Sequence, residues 1–290
     1  MDDIKEGIFS ERGISLDSDC SVPVISFDSK YRLAVTDVYE GLKEWRIWFL
    51  LAWQDTKLRY RRSTLGPLWI TLSMAVTIYT MGLLYGRLFK MDLSLYYPFL
   101  ATGLLTWSLI SSLLTEGASI FLEAEQFIKQ VKQPYSIFVF RMVTKCFIVF
   151  FHNILVFIPI ILFFNVKLNF HTLFIFLSLA ILWINGIVYS VIFAILGTRF
   201  RDIVQLIISL VQVVFFLTPI IWSPSVLPER YQYIVKINPF AQFMELLRNP
   251  LLGSLPSAYA IFFITIVTLL GFFVSFVVFA RYRARIPYWL

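Results

Sequence analysis

Six long runs of the chain contain no charged residue, and segments that hold between one and many charges separate them. The runs cover residues 63–86, 93–115, 146–166, 168–198, 203–228 and 249–280. A helix needs roughly 20 apolar residues to cross a hydrocarbon core about 30 Å thick, and every run reaches that length. The pattern therefore predicts an all-α integral membrane protein with six transmembrane helices in residues 63–290.

The residues before the first run show a different pattern. Residues 1–35 mix Ser, Asp and Gly, and we expect them to form a loosely structured cytoplasmic segment. In residues 36–62 apolar side chains recur every three to four positions, and Asp37 followed by Glu40 is typical of a helix start. A Trp-rich amphipathic helix fits the plane of the membrane interface. Packing of this helix on another subunit is the alternative.

Two of the segments between the runs have a pattern of their own. Residues 121–133 are predicted to form a helix that ends before Pro134. Residues 223–256 are apolar yet contain five prolines, which is unusual for a loop in water. Two short re-entrant helices split at Asn238-Pro239 fit this segment, since broken helices are tolerated at membrane depth where protein buries them. A cap that lies on the membrane surface is the alternative.

The basic residues predict the orientation of the chain. Nineteen Lys and Arg fall on the side that holds both termini, and six fall on the other. Because cytoplasmic segments carry the excess of Lys and Arg, both termini are expected in the cytoplasm. The formal net charge of +7 then reflects topology and attraction to anionic lipid. A nucleic-acid partner is not expected.

The predicted spans offer little chemistry. Their middles contain no acidic or basic side chain except His152, and ion-coupled carriers generally need ionisable groups inside the membrane. Two histidines and two cysteines give no spacing typical of a metal site. No G-x-x-x-x-G-K-[ST] motif occurs. We therefore expect a protein that is not an enzyme, with no catalytic residue, metal or cofactor of its own.

Short motifs then give the chain a family resemblance. In order, these are DTKLRYRRSTLGPLW (55–69), the segment from Ile128-Lys129 to Pro134, RFRDI (199–203), FLTPI (216–220), LP (227–228) and NPF (238–240). Each alone is weak, but together they resemble the membrane subunit of ABC-2 type transporters. The similarity is to the branch that exports O-antigen, capsule or teichoic-acid polysaccharides.

The resemblance implies a fold and partners. It implies a homodimer of six-span chains with two separate ABC ATP-binding subunits, which carry the ATP and Mg. It implies a bacterial inner-membrane location and a polysaccharide on an undecaprenyl diphosphate carrier as substrate. It places a coupling helix between the second and third spans, and gate helices in 223–256. Members without this cargo export drugs or other lipids.

The site residues follow from these roles. Residues expected to contact the ATPase are Glu123, Glu125, Gln126, Phe127, Lys129 and Lys132, although a solvated loop face would look similar. The candidates for binding the lipid diphosphate are Lys57, Arg59, Arg61 and Arg62, although basic residues here also fit the topology signal alone. Channel-lining candidates, for which anchoring at the interface or helix packing is the alternative, are Trp69, Tyr79, Tyr85, Phe215, Phe216 and Trp222. Gate candidates are Asn238, Pro239 and Phe240.

Other functions predict other residues. A membrane-embedded sugar or acyl transferase would need a pair of carboxylates or a His-Asp pair at one leaflet, and Asp202 instead lies between Arg199 and Arg201. An ion-coupled flippase is disfavoured by the uncharged spans. An ABC-2 permease for another lipid or drug cargo differs from a polysaccharide exporter only in its substrate.

Overall fold

Most of each charge-free run of the sequence lies in helix, as expected. The computed structural model describes residues 14–17, 20–25, 27–59, 61, 63–88 and 90–290, with side chains from residue 30 onward. We number its longer helices α1 (Phe27–Lys43), α2 (Trp45–Arg59), α3 (Leu68–Leu88), α4 (Leu93–Glu123), α5 (Glu125–Gln130), α6 (Ser136–Asn153), α7 (Phe157–Phe164), α8 (Phe174–Arg199), α9 (Arg201–Leu217), α10 (Gln232–Ile237), α11 (Pro239–Leu251), α12 (Ala258–Tyr282) and α13 (Ile286–Trp289).

The N-terminal part is more ordered than its composition predicts. Strands β1 (Ile14–Asp17) and β2 (Cys20–Ile25) pair antiparallel, and α1 then begins at Phe27. The prediction that Asp37 caps the start of a helix is wrong, because Asp37 lies in the third turn of α1. Leu33, Val35 and other large apolar side chains of α1 and α2 are exposed, which fits an interfacial position or contact with another chain.

Helix α4 is the centre of the fold. Its 31 residues span about 46 Å at 1.5 Å per residue, and it packs against α3, α6, α7, α8, α9 and α11. The side chain of Asp92 accepts the N–H of Ser94 at 2.9 Å and so caps its first turn. That backbone hydrogen bond lowers the pKa of Asp92.

Two glycines allow α3 to approach α4 closely. A Cβ at Gly82 would overlap the ring of Tyr97, and a Cβ at Gly86 would overlap the side chain of Leu93. This GxxxG pair therefore serves helix packing.

Within the part of the chain that the structure describes, five helical segments have the length and composition to cross a membrane. They are Leu68–Leu88, Leu93–Gln130, Ser136–Phe164, Phe170–Arg199 and Ala258–Trp289. The fifth predicted span is α9, which has 17 residues and is shorter than the roughly 20 that a bilayer requires. Pro219 lies two residues after the end of α9, and it has no backbone N–H to continue the helical hydrogen bonds. Six spans therefore stay a prediction, whereas a helical membrane protein is what the structure shows.

Two predicted helix ends are wrong. The second span was expected to end near Glu116, but α4 continues to Glu123. The third was expected to begin at Cys146, but α6 begins at Ser136. A charge-free run marks the part of a helix that lies within lipid. These two helices continue beyond their runs because the charged residues of the added turns pair with charged residues elsewhere in the chain.

The segment between α9 and α12 contains two helices that meet where the sequence predicted. Helix α10 ends at Ile237 and α11 begins at Pro239. The side chain of Asn238 accepts the N–H of Phe240 at 2.9 Å, and Pro239 occupies the first helical position. Helix α11 is largely buried against α4, α8 and α12, whereas α10 is largely exposed. Whether the pair re-enters the membrane stays a prediction.

Candidate functional site

The segment predicted to contact an ATPase forms a short exposed helix. Helix α4 ends at Glu123, the chain turns at Ala124, and α5 follows, so the predicted helix from Glu123 to Lys132 is broken into two pieces. Lys129 donates to Glu125 at 2.6 Å across one turn. Gln126, Phe127, Lys129 and Lys132 are exposed.

An exposed aromatic ring is the most informative feature of α5. The side chain of Phe127 is 55 % exposed and that of Val131 is 48 % exposed. Two apolar side chains that project beyond the body of a protein, with polar groups around them, are typical of a protein-binding surface.

The four basic residues predicted to hold a lipid diphosphate have different environments. Lys57 lies 5.4 Å from the centre of the Trp53 ring, and Arg59 pairs with Glu116 at 3.4 Å. Arg61 is exposed, and its side chain makes no hydrogen bond to a residue that the structure describes. Arg62 lies outside the described residues. The structure therefore shows one of these cations, Arg59, in an ion pair within the chain.

Ion pairs fasten α2 to the start of α6. Arg141 donates two hydrogen bonds to Asp55, at 2.7 and 2.6 Å, in the bidentate geometry that makes Arg–carboxylate pairs strong. One turn further along α6, Lys145 lies 2.8 Å from Glu116. Glu116 also forms the ion pair with Arg59. The predicted interface helix is thus attached to the two helices that flank α5.

Asp37 caps a helix other than its own. Its carboxylate, in α1, accepts the N–H groups of Tyr135 and Ser136 at 3.1 and 3.0 Å and therefore caps α6. Arg283, just after α12, donates to the same carboxylate at 2.7 Å. Burial raises the pKa of the neighbouring Tyr135 phenol. Asp37 joins three distant parts of the chain at the cytoplasm-facing end predicted from charge.

The predicted channel aromatics do not form one lining. In α3, Trp69 and Tyr79 are exposed and Tyr85 is half-buried. In α9, Phe216 is 72 % exposed, whereas Phe215 packs against Trp107 of α4 with ring centres 5.8 Å apart. These side chains lie on the helices that flank α4 on both sides. Sequence reasoning missed Trp107, since one Trp in a long apolar run carries no distinctive signal.

The gate candidates contact this aromatic cluster. The ring of Phe240 lies 6.2 Å from that of Trp107, edge to face. Asn238 donates to the Thr218 hydroxyl at 3.1 Å in addition to capping α11, and Pro239 starts that helix. The end of α9 and the start of α11 are therefore in direct contact.

The break after α9 exposes backbone carbonyls that side chains then satisfy. Trp222 donates to the Phe216 carbonyl at 3.2 Å, and Tyr96 donates to the Ile221 carbonyl at 2.9 Å. Arg248 of α11 donates to the carbonyls of Pro219 and Ile220, at 2.8 and 3.3 Å. This network holds irregular backbone inside protein, which is the condition under which it is tolerated.

Arg248 is a buried cation with no acidic partner among the residues that the structure describes. Its side chain is 6 % exposed, and its guanidinium lies 4.0 Å from the centre of the Phe99 ring. The negative end of the α9 dipole, the two carbonyls and the ring face replace a carboxylate. Gly103 leaves room for it, because a Cβ there would overlap the guanidinium. In the sequence, Arg248 contributed only to the charge count.

Comparison with known proteins agrees with this arrangement. The family model described as ABC-2 type transporter matches residues 46–252, a range that runs from the second residue of α2 to just beyond the end of α11. An O-antigen export system permease protein RfbA of Klebsiella pneumoniae is 25% identical over 208 residues, which cover 69% of this chain and 79% of that protein. A second from the same species is 26% identical over 195 residues, covering 66% and 74%.

A third relative comes from another bacterial species. The O-antigen export system permease protein RfbA of Myxococcus xanthus is 23% identical over 217 residues, which cover 73% of this chain and 78% of that protein. The helical membrane architecture, the exposed helix after α4 and the match over most of the chain agree with one another. The protein is therefore a member of the ABC-2 type transporter membrane family, whose chains are the transmembrane subunits of ABC transporters.

Proposed function

We propose that this chain is the transmembrane subunit of an ATP-driven exporter of polysaccharide. The cargo is an O-antigen or capsule type polymer linked to undecaprenyl diphosphate, which moves outward across the bacterial inner membrane. The observation that carries this proposal is the similarity to permeases named for O-antigen export over about two thirds or more of the chain.

The energy for transport comes from a partner. The working complex contains two copies of this chain and two ABC ATP-binding subunits, which hold the ATP and Mg. Both termini and α5 face the cytoplasm, α9 is the fifth of six spans, and α10–α11 form the gate at the outer side. The excess of basic residues near the termini and the exposed apolar side chains of α5 support this arrangement.

The proposal is tested first in cells and then in purified complexes. Deleting the gene for the chain should remove surface polysaccharide and leave lipid-linked polymer in the cytoplasm, and the intact gene should restore export. A tagged chain should copurify with a subunit that contains a P-loop and hydrolyses ATP. Normal surface polysaccharide after deletion, with another lipid or a drug retained instead, would assign a different cargo to the permease.

Truncation of the exposed ring on α5 should weaken binding of the ATPase. We expect Phe127→Ala to lower affinity by about 30-fold, because a buried aromatic anchor contributes roughly 2 kcal/mol to an interface. Copurification and ATPase activity of the complex measure this. Phe170→Ala is the matched control, since Phe170 is 83 % exposed and lies at the opposite ends of the spans. Equal retention of ATPase by both variants would contradict the role of α5.

The basic residues at the end of α2 and just after it can be separated by substitution. Arg59→Glu should lower export because it places a second acid against Glu116, whereas Arg59→Lys should retain export because it keeps the ion pair. We propose that Arg61 instead contacts the lipid diphosphate. Arg61→Glu should then lower export about tenfold, although Arg61 has no ion pair with a described residue to lose. Full export by Arg61→Glu, at unchanged membrane insertion, would exclude diphosphate binding there.

A further inference from the structure

An open cleft lies between α5 and the start of α9. It has a volume of about 360 Å³, and its lining residues are Leu122, Glu125, Arg201, Val204 and Gln205. Arg201 is the first residue of α9, and only Phe200 separates it from the end of α8. The cleft therefore separates the helix proposed to contact the ATPase from the helix proposed as the fifth span.

Opposite charges face each other across this cleft. Glu125 pairs with Lys129 of its own helix at 2.6 Å, and the Arg201 guanidinium attracts the same carboxylate from the other side. Arg201 is exposed and forms no ion pair with a described residue, so it does not yet reach Glu125. Attraction between two charges grows as they approach and therefore favours a narrower cleft.

The segment after α12, residues 283–290, packs against the end of α8. Helix α13, which lies in that segment, contacts α8, and its first residue, Ile286, is fully buried. The ring centres of Trp289 and Tyr282 are 5.7 Å apart. The match to the ABC-2 family model ends at residue 252, so it assigns no role to this segment.

Arg199 connects that segment to the turn between α8 and α9. Its guanidinium lies 5.5 Å from the centre of the Trp289 ring and 5.0 Å from that of the Phe200 ring. No carboxylate among the described residues pairs with Arg199, so the faces of the two rings are its partners. Because α9 begins two residues later, this contact restrains the direction in which α9 leaves the turn.

We propose that Trp289 is a positioning residue for transport and that it acts through Arg199. It holds the turn between α8 and α9 so that Arg201 stays opposite Glu125. When the ATPase moves α5, the cleft narrows, and the restrained turn makes α9 tilt instead of shifting together with α5. The inference rests on the proposed function, which assigns α5 to the ATPase contact and α9 to the fifth span.

The first test uses substitutions that keep every Lys and Arg, so the charge pattern that predicts the topology is unchanged. Trp289→Ala should lower export per molecule of permease about fivefold, while ATP hydrolysis by the complex continues. Trp289→Phe keeps an aromatic face for Arg199 and should recover most of the export. Tyr288→Ala is the matched control, because Tyr288 is the neighbouring aromatic residue and is 88 % exposed.

A cross-link measures the cleft directly. In purified complexes that carry Leu122→Cys with Val204→Cys, a non-hydrolysable ATP analogue should raise the yield of cross-linking by a bifunctional thiol reagent. The two single-cysteine variants measure the background. Adding Trp289→Ala should remove the increase, whereas adding Tyr288→Ala should retain it.

The outcomes separate positioning from stability. Parental export and cross-linking with Trp289→Ala would overturn the proposal. Loss of ATP hydrolysis together with export, at a lower unfolding temperature, would also overturn it, because Trp289 would then only stabilise the fold. If deletion of the gene left surface polysaccharide normal, the proposed cargo would be wrong, and the cross-link, which requires the ATPase but no cargo, would still decide the role of Trp289.

Discussion

An Arg248→Met variant is expected to unfold at a temperature about 5 °C lower than the parent protein and to lose most of its export. The cause is the loss of donors to the carbonyls of Pro219 and Ile220. Each buried carbonyl without a partner costs about 1–3 kcal/mol. The substitution also removes a buried charge, and the variant avoids the free-energy cost of desolvating the guanidinium, which offsets part of the loss. We estimate a net loss of roughly 2 kcal/mol.

Two further variants identify the cause of the effect. Arg248→Lys keeps the charge, but an ammonium lacks the planar fork that reaches two carbonyls and lies flat on Phe99, so little rescue is expected. Gly103→Ala should reproduce the defect, because its Cβ would occupy the space of the guanidinium. The double variant with Gly103→Ala and Arg248→Met should lose less stability than the sum of the two single losses, as is usual for residues in contact.

Thermal unfolding in detergent and surface polysaccharide measure these effects. Arg230→Met is the control, because Arg230 lies in the same segment but is exposed, with its guanidinium 4.7 Å from the Tyr231 ring centre. Measuring export also detects an effect on the proposed gate, which a measurement of stability alone would miss. The segment held by Arg248 joins the end of α9 to α11, so loosening it should disturb the proposed gate even in molecules that remain folded. Equal behaviour of the Arg248 and Arg230 variants would show that the network has no such role.

Local signals in the sequence predicted the parts of the fold that local chemistry determines. Asn238 and Pro239 form a cap and a first-turn proline, and both act within four residues of each other. The split between α10 and α11 was therefore predictable. The helices of the charge-free runs were predictable for a similar reason, since backbone groups in lipid must be satisfied within the helix.

The helix ends that were predicted wrongly depend on distant residues. Lys145 is the tenth residue of α6, and Glu116 lies seven residues before the end of α4. They pair with each other, and Arg141 pairs with Asp55. A charge that finds a partner in the fold does not end a helix, and no pattern within either run shows that partner.

The candidate site was predictable in its location but not in its contacts. The sequence placed a helix before Pro134, and a helix occurs there. The fifth charge-free run continued to residue 228, so the break at Pro219 was not predicted. The sequence also gave no sign that Arg248 would be buried, because its burial arises from contacts with residues 28 and 29 positions away in the chain. Basic residues near a predicted loop are also normally exposed, so Arg248 was counted as a topology signal.

The second large effect is expected for Asp37→Asn. Only one of the two oxygens remains an acceptor, so the variant loses a hydrogen bond to the start of α6 and the ion pair with Arg283. Breaking a buried ion pair by removing one partner costs roughly 3–5 kcal/mol. Because Arg283 is 26 % exposed, water compensates it in part, and we expect a loss of about 3 kcal/mol.

The result should extend to the coupling between subunits. Asp37 and Asp55 hold α1 and α2 to the start of α6, which is the helix that follows α5. When Asp37 no longer caps α6, closure of the ATPase against α5 should move the spans less effectively. ATP hydrolysis by the Asp37→Asn complex should then continue while export falls, a combination that simple unfolding does not produce.

A matched control lies one turn away in the same helix. Glu40 is an exposed acid of α1, so Glu40→Gln removes the same charge without breaking a buried contact and should leave unfolding and export unchanged. Arg283→Met should resemble Asp37→Asn, and the double variant should be hardly worse than either single one. Additive losses would mean that Asp37 and Arg283 act separately, and the attachment of α1 to α6 would then depend on the backbone N–H groups of Tyr135 and Ser136 alone.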